Sequence, residues 1–161
     1  MNYKHIILTR FNLQYDLQSN IHIQDSWLEE RFRLFEQYCF PSIIAQTNQQ
    51  FDWVILVSDQ TPKNYLTRLA KHTNSHLNIY IELCTYYEDV NVLYNNIGEK
   101  YVHGYDYLLS TRVDNDDMLA KDFVETLQKL LPATHASAVL TFTNGIQWFE
   151  HKDMAFAVAY D

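Results

Sequence analysis

Short apolar runs alternate along this chain with stretches whose apolar residues recur at helical spacing. His5-Ile6-Ile7-Leu8-Thr9 is rich in β-branched residues and predicts a buried strand leaving into Arg10-Phe11-Asn12. Residues 13–24 have no period and read as a loop. Asp25 or Ser26 suits a helix N-cap, and Glu29, three residues after Ser26, would complete a capping box. Leu28, Phe32, Phe35, Cys39 and Ile43 then share one helical face, and Pro41 must kink this helix or open a short second one through Gln46. Residues 51–57 predict a second buried strand that stops at Ser58-Asp59-Gln60. Thr61-Pro62 begins a helix to about His72, with Tyr65, Leu66, Leu69 and Ala70 inward. A third strand is expected over 77–83, a helix over 90–102 and a fourth strand over 107–113. Asp117 is placed to cap a helix carrying Leu119, Phe123, Leu127, Leu130 and Leu131, which Pro132 stops. A fifth strand is expected over 138–142, then a turn at Thr143-Asn144-Gly145, then hairpin-like strands around Phe149 and over 155–159.

Strands that alternate with helices imply an α/β fold with a doubly wound, mainly parallel sheet and helices on both faces. Ligands of such folds bind beyond the carboxyl ends of the strands. Three polar strand exits should therefore converge, at residues 9–12, 58–60 and 114–117. The 161 residues suffice for one domain with a real core, taken as 1–161.

Charge narrows the classes of partner. The net charge is −8 with no basic run, which disfavours nucleic acid and anionic membrane surfaces. A phosphate ligand would need a metal ion or a few well-placed Arg or Lys. Cys39 and Cys84 are the only cysteines, and both lie in apolar segments, so they read as reduced core residues. No apolar run is long enough to cross a membrane, and residues 1–12 are too short in their apolar part for a secretory signal. The expected setting is cytoplasmic, with a peripheral seat at the membrane allowed.

The candidate chemistry lies at the fourth strand exit, Arg112-Val113-Asp114-Asn115-Asp116-Asp117. Asp114 and Asp116 can both approach one hard cation, and Mg²⁺ or Mn²⁺ would share such oxygens with substrate phosphates. Arg112 points to the same face as Asp114, within reach of a carboxylate or a phosphate. The alternative is a solvated turn in which Asp117 caps a helix and Arg112 neutralises its neighbours. The missing Gly and closing Glu disfavour a calcium loop of the EF-hand type.

The order of motifs resembles nucleotide-diphosphosugar glycosyltransferases of the GT-A fold, also Rossmann-like. Asn95-Asn96-Ile97-Gly98, then Gly104-Tyr105-Asp106-Tyr107, then Asp114-Asn115-Asp116-Asp117 stands where those enzymes carry a helix element, a strand and a DXD motif. Leu8-Thr9-Arg10-Phe11-Asn12, the segment from Arg31 to Ser42, and Ser110-Thr111-Arg112-Val113-Asp114-Asn115-Asp116-Asp117 resemble more closely the rhamnosyltransferase family. The resemblance covers roughly residues 5–160. It implies sugar transfer from a UDP- or dTDP-linked donor to a hydroxyl of a carbohydrate or glycan acceptor, with inversion. It implies Asp116 as the main metal ligand, with Asp114 at the metal or ribose. It also implies that Thr9 and Arg10 line the nucleotide pocket and that Asp59 lies near the base. Asn95 and Asn96 stand where the family has Arg-Asn, leaving Arg112 or Arg10 to supply the phosphate-facing charge. Such enzymes take a general base from a later acceptor-side segment, which this chain is expected to lack. Asp153, Glu150 and His151 are the only late options, each reading better as a surface residue.

The other chemistry-bearing residues add less. His5, His22, His72, His76, His103, His135 and His151 show no zinc spacing and read as surface or capping residues. Trp53 reads as core, and Trp148 could face an acceptor. No Gly-x-Gly-x-x-Gly, Walker or Gly-x-Ser-x-Gly element is present. A nucleotidyltransferase would need a Gly-rich loop after the first strand, and an acidic-pair phosphatase would carry its pair there. A non-catalytic or truncated nucleotide-sugar-binding module remains the main alternative.

Overall fold

The computed structural model describes residues 2–14, 16, 18–85, 90–131 and 138–159. Four parallel strands form one sheet in the order β3-β2-β1-β4: β1 (Tyr3–Arg10), β2 (Asp52–Ser58), β3 (Ile79–Cys84) and β4 (Tyr107–Arg112). The N-terminal strand is therefore interior, with Ile6 opposite Asp52 and Tyr3 opposite Tyr107. Continuous apolar runs at β1 and β2 follow from burial of both sheet faces. On one face Ile7, Trp53, Ile55 and Val57 pack with Leu28, Phe32, Phe35 and Leu69. On the other, Ile6, Leu8, Val54 and Leu56 meet Leu93 and Ile97.

The helices are α1 (Asp25–Leu34), α2 (Phe40–Ile44), α3 (Lys63–Thr73), α4 (Val90–Tyr101) and α5 (Phe123–Leu130). A π-helical turn, Phe35–Cys39, joins α1 to α2, and the Phe40 amide donates to the Phe35 carbonyl. The wider turn absorbs Pro41, which has no N–H to give and would clash with the preceding turn of a regular α-helix. The expected capping box does not form. Gln24 is the N-cap without a side-chain bond, and Glu29 instead pairs with Arg68 of α3 at 2.8 Å.

Asp117 is not a helix cap either, because α5 starts six residues later, at Phe123. The cap of α5 comes from the segment just after α2. The buried Gln46 side chain accepts from the Val124 amide at 3.0 Å and donates to the Ser42 and Ala120 carbonyls at 2.9 and 2.8 Å. Gln46→Leu keeps the volume but leaves a buried amide unpaired. It should lower stability by about 1–3 kcal/mol in urea unfolding.

Residues 138–142 form no strand. The hairpin pairs β5 (Asn144–Phe149) with β6 (Met154–Ala159) in antiparallel register. Asn144-Gly145 thus opens a strand rather than a turn. The turn falls at Glu150–Lys152 and closes at Asp153 with φ 49°, a left-handed conformation that Asp tolerates. Glu150, His151 and Asp153 make up this connection. The apolar run over 138–142 misled because a run alone does not distinguish a strand from an irregular segment. The expected helix stop at Pro132 lies outside the described residues. By backbone contacts the chain divides into residues 1–129 and 130–161. Among the described residues no helix is long and apolar enough to cross a membrane.

Candidate active site

The exits of β1, β2 and β4 are tied together by two asparagines. Asn12 donates to the Thr61 hydroxyl at 2.8 Å and to the His22 carbonyl at 3.0 Å, and it accepts from the Ser58 amide at 3.2 Å. Asn115 donates to the Phe11 carbonyl at 2.8 Å and faces Arg31 at 3.5 Å. Both are buried, so each amide fixes the turn it belongs to. A cleft of about 410 Å³ opens beside them, lined by Arg10, Asn12, Asp16, His22, Trp27, Arg31, Asp114 and Asp116 among others.

Arginines hold the acidic turn. Arg10 reaches Asp114 at 3.2 Å, Arg112 reaches its other oxygen at 3.6 Å, and Arg31 reaches Asp116 at 2.6 Å. These pairs offset the repulsion expected of carboxylates this close together. Among the described residues the carboxyl of Asp117 has no such ion pair. Loss of water around it, then Asp116 and Asp114, raise it above the usual Asp value. Arg31 also lies over the Trp27 ring, 5.1 Å from its centre.

Of the residues expected to bind the donor, Arg10 and Asp114 line the cleft. Arg112 flanks it through Asp114. Thr9 is fully buried and faces the core, where its hydroxyl accepts from the Trp53 indole N–H at 2.9 Å. The alternation of β1 sets this: Thr9 shares the Ile7 face, under Trp53. Asp59 is exposed and outside the lining, its amide donating to the Cys84 carbonyl. Asn95 and Asn96 are exposed on α4 and are likewise outside the lining. The α4 residue whose hydroxyl feels Arg10, Arg112 and Asp114 is Tyr94, raised mainly by burial. The sequence reading did not assign Trp27, His22 or Asn12 to the site. Only the Trp27–Arg31 spacing of one helical turn offered a signal there.

Asp114 and Asp116 offer the hard oxygens that Mg²⁺ or Mn²⁺ takes. Among the described residues no group of three or more His, Cys, Asp or Glu is placed to hold a metal ion. Substrate oxygens and water would have to complete such a shell, and Arg31 would have to release Asp116.

The sequence profile of a family described as "Putative rhamnosyl transferase" matches residues 5–160. The chain belongs to that family. Its members are glycosyltransferases by description, so a sugar donor and an acceptor are its substrates in kind. The match spans most of β1, all three strand exits and the acidic turn. A search of curated proteins finds no match to the chain.

Proposed function

We propose that this family member binds a nucleotide-diphosphate sugar, UDP- or dTDP-linked and with rhamnose as the sugar, in the cleft at the β1 and β4 exits. It transfers the sugar to an acceptor hydroxyl with inversion, on a GT-A type of scaffold. The observation that carries this reading is the set of arginines interleaved with the acidic turn where parallel strands end. Arg10, Arg31 and Arg112 have the fork geometry that suits phosphate oxygens, and Trp27 gives a flat face for a base or a sugar.

Charge supports a metal partner. Among the described lining residues, two arginines face Asp16, Asp114 and Asp116, so a diphosphate would enter a site of net negative charge. A divalent ion held by Asp114 and Asp116 would supply the charge that stabilises a departing diphosphate. The chain's own part is to orient the diphosphate with its arginines, which gain strength as the leaving group gains charge.

Calorimetric titration with UDP and TDP, with and without Mn²⁺, tests this. Binding to the native chain is expected to tighten about tenfold or more with Mn²⁺, roughly 1.4 kcal/mol. Asp116→Ala should lose that increment while its metal-free binding holds or improves, because Arg31 is released. An unchanged Mn²⁺ increment in Asp116→Ala would remove the metal role. Failure of both nucleotides to bind the native chain would remove the donor reading.

A further inference from the structure

Building on the donor reading above, we propose that His22 is the general base of the transfer, acting through Nε2 on the acceptor hydroxyl. His22 sits in the 3₁₀ turn Ile21–Ile23, is only 4% exposed, and lines the cleft with Arg31, Asp114 and Asp116. Among the described residues its buried Nε2 has no hydrogen-bond partner. A buried polar atom without a partner costs about 1–3 kcal/mol, and its persistence calls for a ligand or a role.

The ring also has a backbone contact at Ser19, and a proton on the other ring nitrogen would leave the lone pair on Nε2. The carbonyl of His22 is clamped by Asn12, which also grips Thr61 and Ser58. The turn is thus fixed to the same strand exits that hold the arginines. Burial, only partly opposed by the Ser19 contact, lowers the imidazole from its ordinary 6.5, keeping it neutral and able to accept a proton at pH 7.

The competing bases in the cleft are weaker claimants. Asp114 and Asp116 are paired with arginines. Asp16 is exposed and accepts from the Gln18 amide at 2.9 Å. The charged groups sharing the cleft with His22 are therefore Arg10, Arg31, Asp16, Asp114 and Asp116.

In the step, the acceptor oxygen attacks the anomeric carbon as its proton passes to His22 Nε2. The bond from that carbon to the diphosphate oxygen breaks, and the electron pair leaves with the nucleoside diphosphate. The imidazolium then returns the proton to water.

The test uses the full chain with TDP, dTDP-rhamnose, and water or methyl glycosides as acceptors. His22→Gln should bind TDP within about twofold of the native chain. Its TDP release from dTDP-rhamnose should fall about 100-fold or more, and the acid limb of the native pH profile should flatten. Asp16→Asn should keep that limb. A His22→Gln chain with native rate and limb, or an Asp16→Asn chain that loses both, overturns the proposal. A second measurement needs no variant: ¹⁵N NMR of the histidines at pH 7.5. Nε2 of His22 should be the unprotonated nitrogen, and its signal should move when dTDP-rhamnose fills the cleft. A protonated Nε2, or a signal unmoved by bound donor, overturns the proposal. If TDP does not bind the native chain, the donor reading fails instead.

Discussion

Trp53→Ala is expected to lower the unfolding free energy by about 3–5 kcal/mol, read as a fall in the urea midpoint at unchanged slope. Trp53 is fully buried near the start of β2. Its ring lies against Phe35 and Phe40, with centroids 5.7 and 5.9 Å away. The substitution leaves a cavity and also strips the Thr9 hydroxyl of its donor. Native domains hold only about 5–15 kcal/mol in total, so much of the margin is at stake. Thr9→Val isolates the second effect. It should cost about 1–3 kcal/mol by leaving the indole N–H unpaired, without weakening nucleotide binding. A Thr9→Val chain of native stability would contradict the placement of Thr9 in the core.

Acid should destabilise the fold through His5. This residue is 2% exposed, beneath α5. A chain of hydrogen bonds anchored on the backbone fixes its tautomer. The Gln50 amide donates to Asn48 Oδ1, Asn48 Nδ2 donates to Gln128 Oε1, and Gln128 Nε2 then faces His5 Nδ1 at 3.1 Å. Nδ1 must accept, so Nε2 carries the proton and donates to the Thr111 hydroxyl at 3.0 Å. Protonating Nδ1 would set one donor against another. Burial lowers the pKa to about 4 from 6.5. Between these values the unfolded chain binds a proton that the native one refuses. Stability is therefore full above pH 6.5 and falls by about 3 kcal/mol as pH drops to 4. In His5→Leu that part of the slope should vanish, whatever the variant's starting stability. An equal slope in both chains would rule out His5 as its source.

Legibility in the sequence followed the range of the interactions. The strands β1 and β2 were legible as apolar runs because burial on both faces leaves few polar positions. The acidic turn was legible because its residues are contiguous, and Arg10 because it stands at a strand exit. Asn12 was not, because its role depends on Thr61 and Ser58, far along the chain. His22 reads as a stray histidine in an aperiodic loop. Only the folded turn buries its ring and places the residue in the lining of the cleft. The starts of α1 and α5 were misplaced because local capping residues were present, while the folded chain takes the α5 cap from Gln46.

The interior position of β1 also has a meaning in time. β1 is made well before β4, yet Tyr3 pairs with Tyr107 and Leu8 with Arg112. At about 5–20 residues per second of synthesis, roughly 5–20 s separate the emergence of β1 from that of β4. Through that interval the edge of β1 destined for β4 lies open on the nascent chain, and pairing with a neighbouring chain competes with completion of the sheet.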